Sequence, residues 1–151
     1  MAIYLWPCLL LRTSLKLRRS IPRLRPAALE RAAEILDAYE AAFRGGDVVT
    51  WGVLNWRFHS TLLGAADRPL TMGLLQTLHN QSDRYTRLQL SLTHGETRAD
   101  EEHRAILKAV REGDIEGACA GLRDHITGAG HSLVDFLRDH RSGKLVRREP
   151  A

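Results

Sequence analysis

The spacing of the apolar residues that follow Pro26 is the feature that most restricts how this chain can fold. In the segment "AALERAAEILDAYEAAF" they recur every three or four residues, which is the period of an α-helix with one buried face. Proline suits the first turn of such a helix, and Gly45 and Gly46 are typical of the residues after its last turn. The pattern therefore predicts a helix that begins at Pro26 and ends before Gly45, with a buried stripe of Leu29, Ala32, Ala33, Leu36, Tyr39 and Phe43.

The same period predicts four further helices. The second is expected from about Val48 to Leu63, the third after "DRPL", the fourth over "TRADEEHRAILKAVREGD" and the fifth after Asp114. Asp47 and Asp114 are expected to cap the helices that follow them. Short loops favour antiparallel neighbours, and no segment alternates at period 2 for long enough to predict a strand. We therefore predict an all-α, antiparallel bundle of about five to six helices. For the third helix, the predicted buried face is Leu70, Leu74, Leu75, Leu78, Tyr85, Leu88 and Leu92.

Charge is distributed unevenly along the 151 residues, whose formal net charge is +4. Residues 1–29 contain six basic side chains and no acid, whereas the remainder holds 16 basic and 18 acidic ones. The bundle itself therefore lacks the basic surface that is typical of a nucleic-acid-binding domain. We predict three parts: a basic N-terminal segment over residues 1–25, a helical domain over residues 26–140 and a polar tail over residues 141–151.

Neither a membrane anchor nor a disulfide framework is predicted. The apolar run at the N-terminus ends at Arg12, short of the roughly 18–20 residues that a membrane span needs. Its Arg-rich, acid-free character is also found in organellar presequences, but an amphipathic first helix is the preferred interpretation. Cys8 and Cys119 belong to no ligand or disulfide pattern. Two such cysteines favour a reducing, cytoplasmic compartment.

Histidines lie on or beside the apolar stripes of three predicted helices, at His59, His103 and His125. Asn55 precedes His59 by four residues in "NWRFH", so the two side chains share one helix face. A buried polar group without a partner costs roughly 1–3 kcal/mol, and the core of a bundle offers few partners. Two interpretations remain open at this point. The cluster binds a divalent metal ion, for which imidazole is a suitable ligand, or its histidines hydrogen-bond one another and backbone carbonyls in a structural core.

Three motifs in this order resemble a known family. The stretches "NWRFHSTLLGAADRPL", "EEHRAILKAVREGD" and "LRDHI" resemble the FCD domain, the C-terminal effector-binding domain of FadR-type GntR transcription regulators. The resemblance covers roughly residues 26–140, and the 22 residues between His103 and His125 match the usual separation in that family. It implies an effector-sensing and dimerisation domain that is not an enzyme and that forms a homodimer.

The resemblance also implies the residues of the site. Asn55, His59, His103 and His125 take the positions of the four metal ligands, where many members have aspartate in place of Asn55. The metal, zinc or nickel in the first place, helps to bind a small carboxylate effector. The predicted third helix would line the effector pocket with the side chains of His79, Asn80, Arg84 and Arg87. Of these, Arg84 best matches an arginine of the family.

Two parts of a full-length family member have no complete match in this sequence: the DNA-binding domain and the first FCD helix. Full-length members begin with a winged helix-turn-helix domain, through which they bind DNA, and the sequence shows no such domain. The stretch "LLLRTSLKLRRSIPRL" resembles the second half of the first FCD helix, so this helix is expected to be incomplete. Two alternative functions are also compatible with the sequence: a metal-independent helical dimerisation remnant, and a metal-dependent enzyme in which the histidine-bound ion activates water.

Overall fold

The structure is a computed structural model that describes residues 5–93 and 96–141, without the side chains of residues 5–12, 48, 84, 86, 88–93, 96–97 and 140–141. Within these ranges it contains six α-helices and a short 3-10 helix, and no strand. The helices are α1 (Leu5–Ser20), α2 (Pro26–Arg44), α3 (Val48–Gly64), α4 (Pro69–Thr93), α5 (Glu96–Arg111) and α6 (Ile115–Arg141), with the 3-10 helix over Ile21–Arg23. The predicted all-α fold is therefore confirmed. None of the described helices combines the length and the apolar character needed to span a bilayer.

The predicted caps explain where α3 and α6 begin. The Asp47 carboxylate accepts a hydrogen bond from the backbone N–H of Thr50 at 3.0 Å. The Asp114 carboxylate accepts one from Gly117 at 2.9 Å. Each of these bonds satisfies an N–H that the first turn of a helix leaves without a partner. Gly113, in the turn before α6, has φ +73°, a left-handed conformation that glycine adopts without steric cost. Local sequence therefore determines the tight hairpin between α5 and α6.

The core lies between the two hairpins α2–α3 and α5–α6, and α1 packs across α6 and α3. Leu17 of α1 is fully buried, and the hydroxyl of Ser20 donates a hydrogen bond to the backbone oxygen of Leu62 at 2.5 Å. The described part of α1 thus packs as a helix of the bundle. The sequence alone indicates only a basic segment with an incomplete helix. The largest fully buried apolar side chains of this core are Leu17, Leu36, Phe58, Leu62, Leu63, Leu75, Ile106 and Leu122.

Helix α4 departs from its predicted buried face. Leu75 and Leu78 are buried as expected, but Leu70 is 91% exposed, and Leu74 and Tyr85 are also exposed. The prediction was wrong for these three residues because α4 contacts its neighbours along a narrower stripe than the apolar pattern suggests. The side chains of Leu88 and Leu92 lie outside the described residues.

Candidate metal centre

Three imidazole rings from three helices meet inside the bundle. His59 lies on α3, His103 on α5 and His125 on α6. The Nε2 atom of His103 is 3.2 Å from the Nε2 atom of His59 and 3.2 Å from that of His125. One ring nitrogen from each of the three lies within 4.8 Å of the others. The convergence of these three predicted residues is thereby confirmed.

The aromatic side chains of Phe58 and Tyr39 pack against His103 from the hydrophobic core. The ring of Phe58 lies 4.9 Å from the ring of His103, and that of Tyr39 meets the same imidazole edge-on at 5.3 Å. His103 is 1% exposed, and the side chain of His125 is 11% exposed. His103 therefore lies in an apolar, largely dry environment, in which charge is costly.

Burial determines the charge of two of the three rings, His59 and His103. It lowers the pKa of His59 and the pKa of His103 well below the usual 6.5, and the neighbouring histidines lower both further. A neutral imidazole carries one N–H and one lone pair. These two rings are therefore neutral near pH 7, which is the form in which imidazole binds a metal.

Glu102 is a residue of the site that sequence analysis missed. Its Oε2 atom is 2.8 Å from Nδ1 of His125, and its Oε1 atom accepts a hydrogen bond from Arg98 at 2.7 Å. These contacts, led by the hydrogen bond with His125, lower the pKa of Glu102 to about 2. Because an ionised carboxylate only accepts hydrogen bonds, Nδ1 of His125 must donate, and Nε2 of the same ring faces His103 at 3.2 Å. Such a carboxylate–histidine pair is a common outer shell of metal sites.

The geometry fits a divalent metal ion better than a closed hydrogen-bond network. Nε2 of His103 faces two other nitrogens but has either one proton or one lone pair, so it satisfies at most one of the two contacts. Its Nδ1 is buried and, within the described part of the chain, has no hydrogen-bond partner. Two imidazoles on a tetrahedral zinc ion, with Zn–N distances of about 2.0–2.1 Å, have their nitrogens about 3.3 Å apart. The nitrogens of His59 and His125 each lie 3.2 Å from that of His103, close to this separation, so the residues present fit such an ion.

Asn55 lies one turn before His59 on α3 and is partly buried. The nitrogens that define the cluster come from the three histidines, and the amide oxygen of Asn55 remains a predicted fourth ligand. As a neutral ligand it contributes less attraction to a cation than a carboxylate does.

The residues predicted for the effector pocket fall into different environments. His79 stacks on Trp56 with ring centroids 5.0 Å apart. Burial lowers the pKa of His79. The positive charge of a protonated His79 would repel one on His59, and this repulsion contributes to the lowered pKa of His59. Arg87 pairs with Asp83 at 3.0 Å. Asn80 is exposed, and the side chain of Arg84 lies outside the described residues.

A close contact between α3 and α4 brings this face of α4 to the site. A Cβ atom on Gly52 of α3 would lie 2.7 Å from Oδ1 of Asp83 and 2.9 Å from Cδ of Arg87. Glycine at this position therefore permits the close approach of the two helices. The structure thus brings His79 and the Asp83–Arg87 pair, both on α4, to the helix that carries His59.

Comparison with known proteins gives a family and a fold. The FCD domain family matches residues 14–128. No curated protein matches the chain at a significant level. Among solved structures, the fold is similar to the crystal structure of a transcriptional regulator (GntR family member) from Pseudomonas syringae pv. tomato str. DC3000, with a TM-score of 0.80 and 24% sequence identity. The match covers 91% of this chain and 57% of that one, so this chain spans little more than half the length of the protein that it resembles.

Proposed function

The chain belongs to the FCD domain family, and from this premise we propose that it senses an effector for a GntR-type transcription regulator. In this proposal the domain binds a divalent metal ion and a small carboxylate, and binding changes the arrangement of a homodimer. DNA binding would reside in a winged helix-turn-helix domain, and the regulator would act in the cytoplasm. The family is non-enzymatic, so the interpretation as a metal-dependent enzyme is not retained.

The convergence of His59, His103 and His125 is the observation that carries the proposal. Their nitrogens would hold the metal, and Asn55 would add an oxygen ligand. Zinc or nickel suits this set because both ions accept imidazole nitrogen readily. Four protein ligands or fewer leave room in the coordination shell of many divalent ions, and a carboxylate oxygen is a natural additional ligand for the bound ion.

The residues of the chain itself would supply the rest of the site. Glu102 holds the ring of His125 through its Nδ1 atom and so directs Nε2 toward His103, and Phe58 and Tyr39 exclude water from His103. On α4, Arg87 and Arg84 are the cations proposed to bind the effector carboxylate, for which a guanidinium provides two parallel N–H donors. Arg87 would then either leave Asp83 to bind the effector carboxylate or bind both carboxylates at once.

Sensing requires that the effector bind two arrangements of the dimer with different affinity, because a ligand with equal affinity for both shifts nothing. The proposed ligands come from α3, α5 and α6, and the proposed effector contacts come from α4. Occupation of the site would therefore restrain α4 relative to the other three helices. A change in the position of α4 is the proposed link to the partner subunit.

Metal content is the first test. Protein purified without a histidine tag is supplemented with zinc, nickel or manganese, desalted and analysed for metal by elemental analysis. The expected result is about one metal per chain, lost in the double variant His59→Ala/His103→Ala and retained in His131→Ala, whose exposed imidazole lies elsewhere on α6. Circular dichroism checks that the double variant is still helical. Absence of metal after supplementation would favour the metal-independent dimerisation remnant.

Effector binding is the second test. Mono-, di- and tricarboxylates are screened by thermal shift on the metal-loaded protein, and size-exclusion chromatography with light scattering measures the mass of the free and bound forms. A carboxylate that raises the melting temperature of the loaded protein, and has less effect on the double variant, supports the proposal. A monomer in every condition would exclude the dimer mechanism.

A further inference from the structure

A second site of opposite chemistry lies at the surface between the beginning of α2 and the end of α3. It is a groove of about 580 Å³, and three arginines, Arg23, Arg25 and Arg31, line one side of it. Ser60 and Thr61 of α3 line the other side, and none of the lining residues is acidic. We name this feature the arginine groove, defined by Arg23, Arg25, Arg31, Ser60, Thr61 and Gly64.

The arginines of the groove differ from most other described arginines in having no acidic partner. Elsewhere, Arg18 pairs with Glu116, Arg111 with Glu30, and Arg104 with three carboxylates. Among the described residues, no carboxylate lies within 4.0 Å of Arg25 or Arg31. Positive charge is therefore concentrated at the groove without an internal counter-ion, whereas most of the other arginines with described side chains are paired with acids.

Arg23 adds a third guanidinium with donors to spare. One of its nitrogens, Nη1, donates to the backbone oxygen of Arg19 at 3.3 Å. A guanidinium has five N–H donors in a planar fork, so the group retains a pair for a further acceptor. The hydroxyls of Ser60 and Thr61, in contrast, donate to the backbone oxygen of Arg57. The donors that remain for a ligand in the groove are thus those of the arginines.

The floor of the groove consists of small residues. Ala27 and Ala28 of α2 face Gly64 and Ala65 at the end of α3. A Cβ atom on Gly64 would meet nothing within 4 Å, so the space above it is open. A ligand can therefore lie against the backbone while the longer arginine side chains reach around it.

The helix ends at the groove also favour an anion. Helix α2 begins at Pro26 without a side-chain cap, so the positive end of its dipole opens beside Arg25. The negative end of α3 is partly neutralised, because the backbone oxygens of Leu62 and Gly64 accept hydrogen bonds from Ser20 and Asp67, respectively. The helix dipole therefore adds to the attraction that the three arginines exert on an anion, and the arginines provide the larger part.

We propose that the arginine groove binds a small polyanion that carries at least two phosphate or carboxylate groups. The volume is within the range of small-molecule sites, about 300–1,000 Å³. Three guanidiniums around one groove are suited to two or more anionic groups, since each can bind one phosphate or carboxylate with two parallel hydrogen bonds. The proposal stands whether or not the histidine cluster holds a metal.

Nuclear magnetic resonance of the ¹⁵N-labelled chain tests this directly. Pyrophosphate and tricarballylate (a tricarboxylate) are titrated separately at constant ionic strength, and the amide signals of Ala27, Ala28, Gly64 and Ala65 are followed. The expected result is a saturable shift of these signals with a dissociation constant of about 1 mM or tighter for at least one anion. The anion that binds identifies the chemical class. The double variant Arg25→Gln/Arg31→Gln is expected to weaken binding at least tenfold.

A matched control removes the same charge elsewhere. Arg123→Gln/Arg138→Gln changes two exposed arginines of α6 that pair with acids on their own helix, and it should change the dissociation constant less than twofold. Three results would overturn the proposal: no saturable shift with either anion, equal weakening in the control, or shifts confined to amides around His59 and His103.

Discussion

The histidine cluster and the arginine groove both use nitrogen-bearing side chains, but side-chain type and burial together give them opposite chemistry. The imidazoles of His59 and His103 lie inside the bundle, where burial lowers their pKa values. Both rings are therefore neutral near pH 7, and each has a lone pair that can bind a cation. The guanidiniums of Arg25 and Arg31 lie in solvent, keep their charge and present N–H groups to an anion. The sign of the ligand therefore depends on the side chain and on its environment: a buried imidazole is neutral near pH 7 and offers a lone pair, whereas a guanidinium stays protonated and only donates.

The two regions also differ in their relation to stability. The cluster is continuous with the packed core, so a change there alters the contacts that hold the fold together. The three arginines of the groove are exposed, so a change of these side chains mainly alters the surface charge. Substitutions in the cluster should therefore change the free energy of unfolding more than substitutions of the groove arginines.

The largest effect is expected for Phe58→Ala. The Phe58 side chain is fully buried, and its ring lies 4.9 Å from that of His103. Loss of a buried phenylalanine leaves a cavity and lowers the free energy of unfolding by about 3–5 kcal/mol, which urea denaturation measures. Val53→Ala on the same helix, at a residue 49% exposed, serves as a control and should cost under about 1 kcal/mol. A loss below about 1 kcal/mol for Phe58→Ala would show that the cluster is not part of the packed core.

Acid is expected to destabilise the metal-free protein through the cluster. In the unfolded chain, His59 and His103 take up protons near pH 6.5, whereas their lowered pKa values keep them neutral in the folded state. The unfolded state therefore binds more protons below pH 6.5, and folding stability falls as pH decreases. Between about pH 7.5 and about pH 5.5 the expected loss is on the order of 2 kcal/mol for the two rings.

Urea denaturation across this range checks the pH prediction. In His59→Leu/His103→Leu the corresponding part of the pH dependence should disappear, while His131→Leu, at an exposed position, should retain it. An identical pH dependence in wild type and double variant would contradict the assignment of this loss to the buried rings.

A smaller effect is expected for Glu102→Gln. The amide keeps a hydrogen-bond acceptor near Nδ1 of His125 but removes the negative charge that fixes this ring. Loss of an outer-shell partner weakens metal binding by roughly 10–100-fold, which competition with a chelator measures. Glu101→Gln, at the exposed neighbouring position, should leave the affinity unchanged. Equal affinities in all three proteins would remove Glu102 from the site.

The smallest effect on stability is expected for Arg25→Gln/Arg31→Gln. Neither arginine has an acidic partner in the described part of the chain, so the change should alter the free energy of unfolding by less than about 0.5 kcal/mol. Arg104→Gln removes contacts with Asp37, Glu40 and Asp100 and should cost somewhat more, about 0.5–1 kcal/mol. Thermal or urea unfolding compares the two. A larger loss in the groove variant would mean that its arginines serve packing.

Sequence analysis identified the three histidines because each lies on or beside an apolar helical stripe, a pattern that local periodicity reveals. It also identified Asp47 and Asp114 as caps, since a cap acts within one turn. It missed Glu102, because a glutamate next to a histidine is common on a helix and its contact with His125 crosses from α5 to α6. The predicted roles of Asn55 and Arg84 remain predictions.

The face of α4 shows the limit of periodicity most clearly. Leu70, Leu74 and Leu75 all belong to the apolar pattern, yet the first two are exposed and the third is buried. A helix with apolar residues around much of its circumference offers several possible buried stripes. The neighbouring helices select one of them, and this choice is invisible in the sequence of α4 itself.

The sequence by itself determined the helices, their ends and the presence of three inward-facing histidines, because hydrogen bonds and side-chain spacing within a helix act over a few residues. The tertiary structure alone decided that the imidazoles of His59 and His125 meet at His103, across separations of 44 and 22 residues. It also decided that the arginines at the start of α2 face the end of α3. Both arrangements depend on how the helices cross, and that depends on the packing of the whole core.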